Sequence, residues 1–298
     1  MHTIALGAFS ITRIEEMLTP GFDPAFLFPA YDERVFEDDP DLANPNFLDP
    51  ASRRLMSSMH SWLVRTDRHV ILIDTGCGND KPRPEPAFQR FHMLDKPYLQ
   101  RLAEAGVRPE EVTLVINTHL HIDHVGWNTR LLDGRWVPTF PNARYIYGAR
   151  EFEHWRTPGG GLKTMPGNAA VITDSVLPVV EAGLVEFVED GDRVLDGLSV
   201  ELAPGHTPGQ MQVTLTSGRH AAVFSGDVLH QPMQVSRPTW NSRFCEDQEQ
   251  AVATRRRLLD FAADRGALLF PAHFGAPHTG HVRRRGEDFR FEPLHDAA

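Results

Sequence analysis

Cysteine is scarce in this chain: Cys77 and Cys245 are the only two in 298 residues. Two thiols cannot build a disulfide framework, so stability has to come from a buried core, and reduced thiols in a cytoplasmic setting are expected. Long apolar runs are missing as well. No stretch approaches the ~18 residues of a membrane-spanning helix. The opening MHTIALGAFSITRIEE lacks the basic start, apolar stretch and small-residue cleavage site of a secretory leader. No membrane partner is expected. Sustained positive charge is also absent: 30 basic residues face 40 acidic ones, for a formal charge of −10. That balance argues against nucleic acid as a partner. The two short basic runs, Arg255-Arg256-Arg257 and Arg283-Arg284-Arg285, read as solvated helix and tail faces.

What is present is ordinary globular material, with 41% hydrophobic and 23% charged residues. No repeat of 20 to 50 residues and no linker divides the chain, so a single domain over residues 1–298 is expected. Residues 20–59 stand apart. They are dense in proline, aspartate and aromatics and show neither helical nor strand period, which predicts an irregular arm or lid. Its aromatic residues must bury either on their own chain or against a second copy in a homodimer.

Beyond the arm the pattern becomes regular. HSWLVRTD and RHVILIDTG predict a hairpin with an almost wholly apolar second strand. VTLVINTH and ARYIYG predict further strands, and LSVEL, HAAVF and ALLF repeat the theme. DKPYLQRLAEAG, AREFEHW and EDQEQAVATRRRLLDFAADRG predict helices, the last stopped by Gly266. Mixed strands and helices imply an α/β or α+β fold with sheets covered by helices, and residues at the ends of buried strands then gather along one edge.

Those strand ends carry the chemistry. In THLHIDH, His119 and His121 are two apart and point the same way on an extended segment, so they can reach one metal ion together. Asp123 and His124 can reach a second. His206 sits in PGHTPGQ, where Gly205, Pro208 and Gly209 permit a tight turn. Asp227 ends the apolar run VFSGD, where a carboxylate is costly unless paired, capping or metal-bound. His273 holds the matching place in FPAHFG. Imidazole suits zinc, iron and manganese alike, and carboxylates favour the harder ions of that set.

The order HLHIDH, GHTPGQ, SGD, PAHFG, with ILIDTG upstream, resembles the metallo-β-lactamase-fold superfamily of metal-dependent hydrolases over roughly residues 60 to 275. The resemblance implies a four-layer αβ/βα sandwich. It also implies a site for two divalent ions per chain, with zinc expected and manganese, iron or cobalt as alternatives. His119, His121 and His206 would hold one ion, Asp123, His124 and His273 the other, and Asp227 would bridge them. Asp74 in ILIDTG matches a family position that supports the ligand loops, although a turn aspartate would look the same. Cys77 reads as a small buried residue.

Two ions so held acidify a shared water, and the resulting hydroxide attacks an ester-like electrophile: lactone, ester, thioester or phosphotriester. Asp227, Asp123 and His230 are the candidate catalytic groups, the first two proposed ligands themselves and the last three residues beyond Asp227. Common zinc β-lactamases carry cysteine where Asp227 stands. Many acyl-homoserine lactonases carry tyrosine where His230 stands, and His230 more resembles the organophosphate-hydrolysing relatives. The arm, the GHTPGQ turn and the GDVLH segment most resemble the branch holding acyl-homoserine lactonases and methyl parathion hydrolase. The expected activity is opening of a lactone or cleavage of a small ester, with phosphotriesterase side activity and a small-molecule substrate as partner. A glyoxalase-II-like thioesterase is the rival enzyme reading, and a persulfide-dioxygenase-like iron oxidoreductase the rival from another class. Phe26, Phe28, Trp62, Trp127 and Trp155 are candidate pocket walls, with core packing the alternative for each.

Overall fold

Buried β-branched runs form the sheets, and short amphipathic segments cover them, in the computed structural model, which describes residues 2–294. The chain divides into two compact units, one from Met1–Met17 and Met59–Glu189, the other from Leu18–Ser58 and Asp190–Ala298. Among the described residues no helix is long and apolar enough to cross a membrane.

The first sheet has seven strands. Its members are β1 (Thr3–Leu6), β2 (Phe9–Pro20), β3 (Met56–Arg65), β4 (Val70–Ile73), β5 (Leu114–Ile116), β8 (Arg144–Gly148) and β9 (Val185–Val188), paired in that order, while β6 (Thr129–Leu132) and β7 (Arg135–Pro138) make a separate hairpin. The β3–β4 hairpin read from HSWLVRTD and RHVILIDTG is there, with Trp62 opposite Ile73. From β4 onward the sheet is parallel. Parallel strands need crossovers that cover both faces, which is why VILI and LVI are wholly apolar. Helix α1 (Tyr98–Glu104) buries Tyr98 and Leu102 in a cluster with Leu72, Val115 and Tyr145. Helix α2 (Ala149–Arg156) directly follows β8.

The second unit holds β10 (Arg193–Leu195), β11 (Leu198–Leu202), β12 (Met211–Ser217), β13 (His220–Phe224), β14 (Leu268–Phe270), β15 (Gly280–Arg285) and β16 (Asp288–Pro293), a seven-stranded sheet in sequence order. Only its β13–β14 pair is parallel. Their crossover contains α3 (Gln248–Arg265), the helix the sequence marks most clearly. The Asp247 carboxylate accepts the Gln250 N–H at 2.9 Å, and Gly266 ends the helix in the left-handed region at φ 61°. Leu258, Leu259 and Ala262 pack with Val223, Leu269 and Val282.

Three expectations change here. The arm contains single helical turns at Pro24–Leu27 and Val35–Asp38. One turn is too short to produce a period, and the first is set by local chemistry, with Asp23 as N-cap and Pro24 following it. Leu27, Phe28, Val35, Leu42, Leu48 and Leu55 cluster with Met233 and Trp240, so these apolar residues of the arm bury on their own chain, while Phe26 stays exposed. Arg255 is not a solvated face residue: it is fully buried, whereas Arg256 and Arg257 lie towards solvent. Arg283, Arg284 and Arg285 are exposed as expected, but on β15 rather than in a tail.

Candidate metal centre

In the first unit β4 and β5 run parallel with Ile73 opposite Ile116, so the residues just past them leave the sheet side by side. Asp74 takes a left-handed conformation at φ 55° and turns its carboxylate onto the next segment. Oδ1 accepts the Thr118 N–H at 2.8 Å, and Oδ2 lies 2.9 Å from His124 Nδ1. A carboxylate on Nδ1 holds that proton and leaves Nε2 as the ligand nitrogen. His119 Nε2 and His121 Nδ1 stand 3.0 Å apart, and the His119 and His124 rings are 4.0 Å apart at their centroids. Asp123 Oδ1 is 3.7 Å from His124 Nε2. The three imidazoles are buried and Asp123 is partly open.

Residues that no motif marked hold this segment. Glu151 on α2 accepts the Leu120 N–H at 3.1 Å and the Trp155 indole N–H at 2.6 Å. Trp155 in turn sets its ring across His121, 5.3 Å between centroids. Asn117 and Asn168 donate to the His124 and Leu120 carbonyls at 2.7 and 3.0 Å. Of the proposed pocket walls, Phe28, Trp62, Trp127 and Trp155 are buried and Phe26 is exposed.

The second unit repeats the device. Phe224 and Phe270 are register partners on β13 and β14, and Asp227 and His273 each follow three positions later. His273 Nε2 lies 3.0 Å from Asp227 Oδ1, while His206 and His230 bring their Nε2 atoms to 3.3 and 3.1 Å from Oδ2. All four side chains are buried. His273 Nδ1 faces the Ser58 carbonyl at 3.1 Å, again leaving Nε2 for a ligand. Gln210 ties the two turns together, accepting the Asp227 N–H at 3.2 Å while its amide donates to the Ala203 carbonyl at 3.3 Å. The His206 turn needs its glycine: Gly205 sits at φ 134°, and a Cβ there would overlap the Ala251 backbone.

Both clusters fit a divalent ion on donor chemistry. Ligands about 2.1 Å from a shared ion stand about 3.0–3.4 Å from each other. The His119–His121 separation of 3.0 Å and the His206–Asp227 separation of 3.3 Å have that size. His206, Asp227 and His230 also offer ligand atoms within 4.8 Å of one another, which brings His230 into a set that the motifs alone left at three. The thiols play no such part. Burial pushes Cys77 well above its ordinary value and Cys245 up to about 11, so both stay protonated.

Parallel strand ends bearing buried histidines and aspartates define an α/β protein with the ligand chemistry of a metal centre. The model of the metallo-beta-lactamase superfamily matches residues 58–273, and the chain belongs to that superfamily. Its mixed α/β fold is that of the superfamily. A hydroxyacylglutathione hydrolase of Aeromonas hydrophila subsp. hydrophila is 28% identical over 171 residues, 56% of this chain and 45% of that protein, so the match spans under half of the relative. An N-acyl homoserine lactonase of Bacillus sp. is 23% identical over 224 residues, 71% of this chain and 79% of the relative. Among solved structures, the dizinc quorum-quenching lactonase AidC, with a product bound, superposes with a TM-score of 0.79 at 22% identity, covering 100% of this chain and 98% of that one.

Proposed function

We propose that the chain is a dinuclear metal-dependent hydrolase that opens lactones or cleaves small esters, with phosphotriesters as side substrates. His119, His121 and His206 would hold one ion, Asp123, His124 and His273 the other, and Asp227 would bridge them. Zinc is the first choice of metal. One observation carries the reading: the buried Asp227 carboxylate has a histidine on each of its two oxygens, at 3.3 Å for His206 and 3.0 Å for His273. A bridging ligand needs that arrangement. Similarity to two lactonases supports the substrate class.

The ions, when bound, acidify water and stabilise negative charge on the substrate oxygen. The chain's own residues do the rest. Asp74 and the Ser58 carbonyl orient His124 and His273 from behind. Asp227 and His230, 3.1 Å apart, are the two groups that would take the proton of the attacking water and pass it to the leaving oxygen. Asp123, partly open, completes the candidate catalytic set. Two free thiols support a reducing, cytoplasmic setting.

A second reading, a thioesterase of the hydroxyacylglutathione hydrolase kind, draws on the 28% identity to that enzyme. Metal analysis combined with assays on a lactone, an aryl phosphotriester and a glutathione thioester separates the two. Two ions per chain and lactone turnover that disappears in Asp227→Ala and His206→Ala are expected. Turnover surviving both substitutions would sink the proposal, and a thioester preferred over the lactone would select the second reading.

A further inference from the structure

Glu16 is a charge that the ligand set does not use. It lies on β2, 1% exposed, in a sequence context that gives no hint of its surroundings. Its oxygens take three N–H donors: Oε2 accepts the Cys77 amide at 2.7 Å, and Oε1 accepts the Gly78 amide at 2.9 Å and the Trp127 indole at 2.7 Å. The donors come from two segments. One follows β4 and the other follows the HLHIDH hexad, so a single carboxylate joins the flanks of both.

These segments also bond to each other. The Thr75 amide donates to the His124 carbonyl at 2.7 Å, Gly126 to the Gly76 carbonyl at 2.7 Å, and Trp127 to the Thr75 carbonyl at 2.9 Å. The approach is so close that a Cβ on Gly126 would overlap the Cys77 carbonyl. Asp74 stands at one edge of this short ladder and His124 at the other, and they meet at 2.9 Å. A shift of one segment against the other therefore moves the carboxylate relative to the imidazole it orients.

We propose that Glu16 is a positioning residue for the metal ligands: its carboxylate is the resident anion of the nest formed by the Cys77 and Gly78 amides, and by binding Trp127 it sets the spacing of Asp74 and His124. The inference rests on the metal-hydrolase reading above. Charge-assisted bonds to backbone amides are the stronger kind, and two adjacent amides in a turn with left-handed glycines form an anion cradle; here Gly76 and Gly78 lie at φ 57° and 78°. Burial raises the carboxyl's pKa, opposed by the N–H donors of Cys77, Trp127 and Gly78. Glutamine has the same shape but would set an NH2 group against one of these N–H donors.

The test measures the rate at which zinc-loaded protein loses metal to a chromophoric chelator, with kcat and KM for a lactone and the unfolding midpoint of the metal-free protein alongside. Glu16→Gln is expected to lose metal about 10-fold or more faster, with kcat falling and KM little changed. Glu16→Asp, which keeps the charge on a shorter stem, should fall between, and the exposed Glu104→Gln should match wild type. A lower midpoint with wild-type metal loss and kcat in Glu16→Gln would overturn the proposal and leave Glu16 a purely structural residue. Should Glu16→Gln not fold, Glu16→Asp decides: metal loss at the Glu104→Gln rate overturns it. Wild-type protein that binds no metal would instead defeat the metal-hydrolase reading itself.

Discussion

Asp74 Oδ2 lies 2.9 Å from His124 Nδ1, although 50 residues separate them in sequence. Two parallel strands in register, Ile73 opposite Ile116, make the meeting unavoidable. Because Oδ1 also accepts the Thr118 N–H at 2.8 Å, the carboxylate is clamped before it touches the imidazole. Asp74→Ala should weaken binding of one ion about 10–100-fold, read by competition with a chelator. Unchanged affinity for both ions would show that His124 is oriented by other groups.

The backbone N–H of His230 donates to Gln234 Oε1 at 2.6 Å, and its imidazole Nε2 faces Asp227 at 3.1 Å. If it moves a proton at the leaving group, His230→Ala should lower kcat about 10²–10⁴-fold while two ions remain bound. Steady-state kinetics with parallel metal analysis checks this. A variant with wild-type kcat would remove His230 from the catalytic set.

Arg255 donates to the Val228 carbonyl at 2.9 Å, the Pro238 carbonyl at 2.6 Å and Asn241 Oδ1 at 3.1 Å. Burial lowers its pKa to about 10, still charged at neutral pH. Val228 follows Asp227 directly, so one guanidinium fastens the segment after that aspartate. Arg255→Met strands several buried oxygens, each worth about 1–3 kcal/mol, and denaturant unfolding should show a loss of at least that size. Arg256→Met and Arg257→Met should stay within about 0.5 kcal/mol of wild type. Equal effects at all three positions would contradict the burial.

Lys81 is fully buried, donating to Thr129 Oγ1 at 2.9 Å, 3.5 Å from Asp174 Oδ1 and 3.8 Å from the centroid of the Trp136 ring. Burial lowers its pKa to about 8 from 10.5, partly offset by Asp174. Between these two values the unfolded chain binds a proton that the folded protein has released, so folding stability rises with pH across that window. The stability of wild type relative to Lys81→Met should therefore increase from pH 8 to 10, measured by denaturant unfolding of the metal-free protein. A flat or falling difference would show that Lys81 keeps its proton when buried.

The strand-end chemistry was legible because it is local. His119, His121, Asp123 and His124 fall within one hexad, and His206, Asp227 and His273 each follow an apolar run of recognisable period. Helix α3 was legible through its length and its stop, Gly266. The arm was harder. Its helical turns last four residues each, so no amphipathic period can develop, and its burial depends on Met233 and Trp240 far along the chain. Glu151 and Gln234 carry no motif at all, and Gln210 closes GHTPGQ without its role being readable there; all three act through the backbone groups the fold sets before them.

Residue type and spacing by themselves determined the superfamily, the strands that lead into the histidine and aspartate turns, and the side chains able to bind metal, since coordination chemistry is a property of those side chains and their offsets from strand ends. Tertiary structure alone decided which charges went inside. Glu16 and Arg255 look like their solvated neighbours Glu15 and Arg256, and what separates them is whether the fold brings partners to them: the Cys77 amide arrives from 61 residues away and the Val228 carbonyl from 27. A buried ion persists only where such partners replace its water, and those partners come from segments brought close by folding.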